Sequence, residues 1–299
     1  MPHYTHSLAW LLGLEGVALL RAQAGDDVGQ HPNAPDSPDF IEARIAEIRS
    51  LVADPALLAR PGGTVGHATT RDGYAIWAER YDDPGNPLIE VEEPVVRPLL
   101  DALPVGRVLD AACGTGRHAA YLHTLGHEVA GVDGSPEMLT HARLKVPAGE
   151  FKEGALDALP FPDASFDAVV CALALTHQPR LEPVLTEFAR VLRPGGQAIL
   201  SDIYWLSLYL GGVASVSGPE GTRAMPATRF LPSDYLTAAL AAGFTVVSCH
   251  EPRWGERAGG HGGPDAQRYC PEAVRAACRD TPALIVWQLS RPHPNGDPS

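Results

Sequence analysis

The spacing of apolar residues along the chain changes at Arg107. Before this point apolar residues recur every three or four positions, which predicts helices at about 7–21, 40–52, 73–81 and 90–103. After it, short apolar runs alternate with helical patterns. The predicted strands are 107–111, 128–132, 150–153, 167–172 and 197–202, and the helices between them are at about 116–126, 135–144 and 181–192. Such alternation is typical of βαβ units, so we predict an α/β, doubly wound sheet preceded by an N-terminal helical extension.

The regular alternation ends after the fifth predicted strand. A helix at 233–242 and strands at 244–251 and 283–289 follow. No helical pattern of normal length separates these two strands, so we expect them to form a hairpin-like, partly antiparallel edge of the sheet. The glycine-rich stretch 255–265 predicts a mobile loop, and the stretch 25–39 predicts a linker. These boundaries divide the chain into a helical extension (1–89), a core domain (90–291) with a lid-like insertion (204–230), and a disordered tail (292–299).

One segment carries the clearest chemical signal. The sequence VLDAACGTGRHAAYL at 108–122 predicts a strand, a glycine turn and a helix. Gly114 and Gly116 let the backbone turn tightly and approach a ligand, and the N-terminus of the helix favours an anionic group. Asp110 lies near the carboxyl end of the strand. Asp133 ends the next strand, where a carboxylate is placed to accept hydrogen bonds from two ribose hydroxyls.

The glycine turn alone also fits a dinucleotide. GTGRHA satisfies the loose G-x-G-x-x-G/A pattern, and an acid at the end of the second strand suits NAD as well. Asp110, four residues before Gly114, separates the two interpretations. An NAD site has no need of an acid there, whereas a ligand with an ammonium group needs a nearby anion or acceptor.

Four segments resemble, in order and spacing, the motifs of class I S-adenosylmethionine-dependent methyltransferases. They are LDAACGTGR, VAGVDGSPEML, LPFPDASFDAVVCALALTHQP and EFARVLRPGGQAILSD, within a resemblance that covers about residues 74–252. The resemblance implies a Rossmann-like seven-stranded sheet with an antiparallel last strand, and S-adenosylmethionine as the cofactor. It also implies the cofactor-binding residues, which are Tyr81, Asp110, Ala112, Gly114, Gly116, Asp133, Gly134, Ser135, Met138, Leu156, Asp157 and Cys171.

The resemblance assigns a part of the cofactor to several of these residues. Asp110 is expected to hold the methionine part, Asp133 the ribose, and Tyr81 is expected to close over the cofactor. One departure concerns the adenine, because relatives commonly carry an acid where this chain has Ala155. Either Asp157 or a backbone group must then bind the adenine amine.

Two residues are candidates for the methyl-transfer step, which requires alignment of the acceptor and exclusion of water. His177 follows the fourth predicted strand, and its imidazole titrates near neutral pH, so it either takes a proton from the acceptor or caps the next segment. Tyr204 follows the fifth strand and either lines the acceptor pocket or packs in the core. Relatives often have a histidine at this second position.

Composition and charge limit the class of substrate, the cellular location and the cofactors that we expect. The formal net charge is −13 with no basic run, and such a surface repels phosphate backbones, so we expect a small-molecule substrate and no nucleic acid. The longest early apolar stretch, 8–20, contains Glu15 and is shorter than the roughly 18 residues of a membrane helix. With no secretory signal, we expect a cytoplasmic protein without membrane association. Five dispersed cysteines and no ligand spacing predict reduced thiols and no metal site.

Two questions stay open on these residues alone. A relative that binds the same cofactor but catalyses cyclisation or a pericyclic reaction would carry the same motifs, and would differ in whether S-adenosylhomocysteine accumulates. The leucine-rich first helix either covers the crevice or mediates a homodimer. His118, His123 and His127 are expected at the surface.

Overall fold

The computed structural model describes residues 3–24, 38–218, 221–255 and 263–293. Within them the strands are β1 His3–Thr5, β2 Gly63–His67, β3 Arg107–Ala111, β4 Glu128–Asp133, β5 Glu150–Glu153, β6 Phe166–Ala172, β7 Leu192–Ile203, β8 Ser215–Gly218, β9 Gly221–Ala224, β10 Thr245–His250 and β11 Leu284–Ser290. The α-helices are α1 Ser7–Ala24, α2 Pro38–Ala53, α3 Pro55–Leu58, α4 Thr70–Trp77, α5 Pro87–Asp101, α6 Arg117–Thr124, α7 Pro136–Lys145, α8 Glu182–Val191, α9 Trp205–Tyr209, α10 Pro232–Ala241, α11 Gly263–Tyr269 and α12 Pro271–Cys278. Short 3-10 helices span Ala78–Arg80 and Leu175–His177.

The chain forms two compact units. The larger unit comprises residues 67–252 and 282–299, and the smaller comprises 1–66 and 253–281. The larger unit contains a seven-stranded sheet in the order β10-β11-β7-β6-β3-β4-β5. β3 pairs in parallel with β4 and β6, whereas β11 is antiparallel to both β7 and β10. The predicted doubly wound, seven-stranded sheet with an antiparallel last strand is therefore confirmed.

The sheet is covered on both faces because its central strands are apolar on both sides. In β3, Leu109 faces a core shared with α8 and α10, while Val108 faces a core shared with α5, α6 and α7. This is the period-two alternation of a strand buried between two helical layers. The carboxyl ends of the parallel strands β3, β4 and β6 consequently meet at one edge, where open α/β sheets bind their ligands.

Gly116 begins α6 and lies against α7. Its φ of +83° is in the left-handed region, and a Cβ added there would lie 3.0 Å from the Cα of Ala142. The residue is therefore required both for the turn and for the close approach of two helices.

Replacement of Gly116 by alanine is expected to lower the free energy of unfolding by about 2–4 kcal/mol, because left-handed strain and a backbone clash add together. Gly126 is the matched control, since its φ is +88° with no atom within 4 Å of an added Cβ. Gly126→Ala should cost only the strain, about 1–2 kcal/mol. Urea unfolding of the two variants measures the difference, and equal losses would contradict the packing role.

The smaller unit is mainly helical. Its core is formed by apolar residues of α1, α2, α3, α11 and α12, among them Leu11, Leu51 and Val274. β1 and β2 pair in antiparallel fashion. Two short helices, α11 and α12, separate the last two strands in the sequence, and these strands pair in antiparallel fashion as predicted. α12 buries Ala273, Val274 and Ala277, a face too short and too alanine-rich to stand out between flanking prolines.

Part of the sequence-based interpretation falls outside the described residues. The expected linker overlaps 25–37, the expected mobile loop overlaps 256–262, and most of the expected disordered tail is 294–299. Among the helices that the structure describes, none combines the length and apolarity needed to cross a membrane.

Candidate functional site

A cavity opens at the carboxyl edge of the sheet in the larger unit. The ends of β3, β4 and β6, the turn after β5 and helix α4 all contribute to its wall. Its lining residues are Thr70, Arg71, Tyr74, Tyr81, Ala112, Gly114, Asp133, Gly134, Ser135, Gly154, Ala155, Leu156, Ala172, Leu173, Ala174, His177 and Gln178. Eight of the predicted site residues share this wall, namely Tyr81, Ala112, Gly114, Asp133, Gly134, Ser135, Leu156 and His177.

The glycine turn presents one carboxylate in a fixed orientation. Asp133 Oδ2 accepts a hydrogen bond from the amide of Gly114 at 2.8 Å, and Oδ1 accepts one from the amide of Ser135 at 2.8 Å. The backbone of Ala112 (φ +57°) and Gly114 (φ +52°) is left-handed, which folds the turn around this carboxylate. Burial raises the pKa of Asp133, and these amide donors oppose the rise. Each oxygen retains a lone pair for a ligand hydroxyl.

Asp110 lies behind the wall rather than in it. Its side chain is buried and accepts a hydrogen bond from the amide of Ala119 at 2.8 Å. Burial raises its pKa to about 6, although the charge of the nearby His118 and the hydrogen bond from the Ala119 amide act to lower it. Asp110 thus anchors the first turn of α6. Three other predicted residues, Gly116, Met138 and Cys171, are also outside the lining.

The backbone forms the wall at the expected adenine position. Gly154, Ala155 and Leu156 line the cavity, whereas Asp157 is exposed and is not part of the lining. Of the two substitutes considered for the missing acid, the structure brings the backbone to the cavity and leaves Asp157 outside it.

His177 also lines the cavity and belongs to the 3-10 turn after β6. Its Nδ1 is 2.7 Å from the carbonyl oxygen of Pro226, and its Nε2 is 3.1 Å from the hydroxyl of Tyr74. Burial lowers the pKa of His177, with the Pro226 hydrogen bond opposing this effect. The imidazole is therefore neutral at pH 7. The carboxyl group of Asp202, near the end of β7, accepts a hydrogen bond from the Thr176 amide and so supports the turn that carries His177.

Tyr74 was not found by the sequence analysis. Helix α4 reaches this position because Gly73 packs against Met225, whose sulfur would lie 2.1 Å from a Cβ on the glycine. The Tyr74 ring is 5.4 Å from that of Trp77 and 5.9 Å from that of Tyr81. The signal that was available is this aromatic spacing of three and seven residues on one helical face.

Tyr204 is separate from the cavity lining. Its ring packs against the apolar core of the sheet and lies 6.0 Å from the ring of Trp205, and its amide donates to the carbonyl of Ala283 at 3.0 Å. Its assignment to the methyl-transfer step stays a prediction.

A buried carboxylate supports the glycine turn from behind. Glu92, on α5, is fully buried, with the hydroxyl of Ser201 at 2.6 Å, Nε2 of His118 at 3.1 Å and the guanidinium of Arg117 at 2.7 Å. The expectation that His118 lies at the surface is therefore wrong, as it is for the buried His127, while His123 is exposed. The sequence pattern of α6 did not predict the burial of His118, because a polar side chain on the buried face of a helix looks like a surface residue until its partner, Glu92, is known.

Comparison with known proteins identifies relatives of the chain. A family model described as a methyltransferase domain matches residues 109–200. An uncharacterized methyltransferase of Synechocystis is 34% identical over 151 residues, with 49% of this chain and 70% of that protein covered. A demethylmenaquinone methyltransferase of Thermus thermophilus is 35% identical over 168 residues, with 47% and 74% covered.

A solved structure has the same fold. The crystal structure of an S-adenosylmethionine-dependent methyltransferase from Mesorhizobium loti aligns with a TM-score of 0.51 at 23% identity, covering 67% of this chain and 98% of that one. Its agreement with this chain is one of architecture.

Proposed function

The chain belongs to the class I S-adenosylmethionine-dependent methyltransferases, and we propose that it transfers the methyl group of this cofactor to a small-molecule acceptor. The observation that carries the proposal is the Asp133 carboxylate, which lines the cavity beside the glycine turn with both oxygens oriented by backbone amides.

The lining fits S-adenosylmethionine in the chemistry of its side chains and exposed backbone. Asp133 accepts the ribose hydroxyls, and Gly114 and Gly134 leave room for the backbone to approach the ligand. The apolar Leu156 and the backbone at 154–155 suit the adenine. Asp110 contributes indirectly, since it holds the start of α6 against the turn.

The chemistry of the bound cofactor is that of a methyl group activated by a positively charged sulfur. The protein's own residues align the acceptor and exclude water. Tyr81 and Tyr74, both half-buried, line the cavity and cover the cofactor in this proposal. His177 is the lining residue that accepts a proton in this proposal, and Tyr204 is retained as a second, untested candidate.

The acceptor is proposed to be a small molecule in the cytoplasm. The Thermus thermophilus relative is named for a small quinone acceptor, although the shared segment covers only 47% of this chain. A net charge of −13 opposes binding of nucleic acid, and the five cysteines are unpaired, as in a reducing compartment. A homodimer through α1 stays part of the proposal.

Calorimetric titration of the purified protein with S-adenosylhomocysteine, with NAD as the control, tests the cofactor. One-to-one binding of S-adenosylhomocysteine alone is expected, and binding of NAD instead would refute the proposal. Turnover then separates methyl transfer from cofactor-assisted cyclisation. Methyl transfer releases one S-adenosylhomocysteine per product, whereas product without it would establish the cyclase alternative.

A further inference from the structure

The structure fixes which nitrogen of His177 carries the proton. The carbonyl oxygen of Pro226, 2.7 Å from Nδ1, can only accept a hydrogen bond, so Nδ1 is the protonated nitrogen of the neutral ring. Nε2 therefore presents a lone pair, and the Tyr74 hydroxyl, 3.1 Å away, donates to it. Both side chains line the cavity.

The backbone holds this tautomer in place. The Thr228 amide donates to the carbonyl of Thr176 at 2.7 Å, and the Thr176 hydroxyl donates to the carbonyl of Thr228 at 3.1 Å. The Thr228 hydroxyl donates to the carbonyl of Gln178 at 2.7 Å. Three hydrogen bonds thus join the segment that carries Pro226 to the turn that carries His177, and Nε2 is held toward the cavity.

We propose that Tyr74 and His177 form a two-point binding site for an acceptor hydroxyl, so that the enzyme is an O-methyltransferase of phenols or enols. The inference rests on the proposed methyl transfer and names its acceptor class. Nε2 accepts the hydrogen bond of the acceptor O–H, and the Tyr74 hydroxyl turns to donate to the same oxygen.

The number of lone pairs distinguishes oxygen from nitrogen at this site. A hydroxyl oxygen has two lone pairs, so one attacks the methyl carbon while the other accepts from Tyr74. A neutral amine has one lone pair, which cannot serve both purposes. An amine therefore uses only half of the site, and Tyr74 opposes its attack by competing for that lone pair.

The charges of the lining also disfavour a carboxylate acceptor. Among the described lining residues, the one cationic side chain is Arg71, and it pairs with Glu153 at 3.1 Å. Burial is the main cause that raises the pKa of the Tyr74 phenol, with further contributions from Tyr81, Asp133 and Asp202, so this part of the cavity disfavours a further negative charge. A neutral hydroxyl that loses its proton only as it reacts suits this environment better than a bound anion.

The proposed methyl transfer moves one electron pair and one proton. The acceptor oxygen forms a bond to the methyl carbon, and the bond between that carbon and sulfur breaks with its electron pair left on sulfur. The hydroxyl proton passes to Nε2 of His177, whose positive charge then replaces that of the sulfonium. Tyr74 donates to the oxygen throughout and lowers the barrier as negative charge develops.

A panel of matched acceptors tests the site with the full-length protein and S-adenosylmethionine. Phenol, catechol and 2-naphthol are compared with aniline, o-phenylenediamine and 2-naphthylamine, and S-adenosylhomocysteine release is measured. We expect methylation of hydroxyl members and little of their amine partners. Tyr74→Phe should reduce kcat/KM by about 10- to 100-fold, and His177→Gln by roughly 100-fold or more with loss of the acidic limb of the pH profile.

Two controls and one spectrum separate this site from general damage. Tyr121→Phe removes a surface hydrogen bond to Asp101, and His123→Gln changes an exposed histidine of the same unit, so both should retain the wild-type kcat/KM. In nitrogen-15 spectra of the protein loaded with S-adenosylhomocysteine, 2-naphthol should shift the unprotonated Nε2 of His177, and 2-methoxynaphthalene, which has no O–H to donate, should not.

The outcomes distinguish this inference from the proposed function. Failure to bind S-adenosylhomocysteine would refute both. Binding without methylation of any hydroxyl member, equal methylation of the amines, or an unchanged rate in Tyr74→Phe would overturn the hydroxyl site alone.

Discussion

Asp133→Ala is expected to weaken the binding of S-adenosylhomocysteine by roughly 100- to 10,000-fold. The alanine removes two charge-assisted hydrogen bonds to the ribose hydroxyls, each worth about 1.5–3 kcal/mol. It also leaves the Gly114 and Ser135 amides, which now donate to the carboxylate at 2.8 Å each, without their acceptor. The first effect acts on the bound state alone, whereas the second loosens the turn before the ligand binds, and calorimetry should detect their sum.

Glu128→Ala is the matched control for this prediction. Glu128 begins the strand that Asp133 ends, and its side chain is 72% exposed in an ion pair with Arg107. Loss of such a surface pair costs little. If Glu128→Ala weakened binding as strongly as Asp133→Ala, the effect would belong to the strand and not to the ribose carboxylate.

Glu92→Ala is expected to lower the free energy of unfolding by about 3–5 kcal/mol, because it leaves buried partners without their counter-charge. Glu92 is fully buried, and Arg117, at 2.7 Å from its carboxylate, follows Gly116 directly. The variant should therefore also weaken cofactor binding through the glycine turn. Glu90→Ala, which changes an exposed residue of the same helix, should cost less than about 1 kcal/mol.

The pH dependence of stability gives a second test of Glu92. Burial alone raises its pKa, but the hydrogen bond and charge of His118 and the charge of Arg117 outweigh burial and lower the pKa from 4.5 to about 2. A carboxyl group whose pKa is lower in the folded protein than in the unfolded chain stabilises the fold at pH values above its unfolded pKa. That contribution, about 3 kcal/mol, is lost as the pH falls from about 4.5 to about 2.

Glu92→Gln isolates this contribution, because it keeps the shape of the side chain without a titrating group. Urea unfolding between pH 2 and 5 should show a smaller loss of stability in the glutamine variant than in the wild type. Parallel curves for the two proteins would contradict a stabilising ionised Glu92.

The sequence determined the sheet and the part of the site that lies on it. The strands β3, β4 and β6 were predicted to within a residue or so, because a buried strand between helical layers must be apolar over its whole length. The cofactor side follows from the same local rule. Gly114 and Asp133 lie at strand ends, so their mutual placement follows once the strands pair in parallel.

The tertiary structure alone decided the proposed acceptor side and the supporting contacts. Tyr74 and His177 are 103 positions apart, and no short-range pattern predicts their 3.1 Å approach. Glu92 meets Ser201 across 109 positions for the same reason. α12 escaped detection because it is only eight residues long and two of its three buried residues are alanines, so its apolar face is recognised only where it packs in the core of its unit.

One physical cause separates the features that the sequence determined from those that the tertiary structure decided. Backbone periodicity and glycine conformation are local properties, so the sequence states them directly. Contacts between side chains depend on how elements pack, and here the packing turns on Gly73 against Met225 and on the threonine hydrogen bonds near Pro226. The sequence thus determined the nucleoside-cofactor motif at the strand ends, and only the folded chain brought Tyr74 and His177 together at the proposed acceptor position.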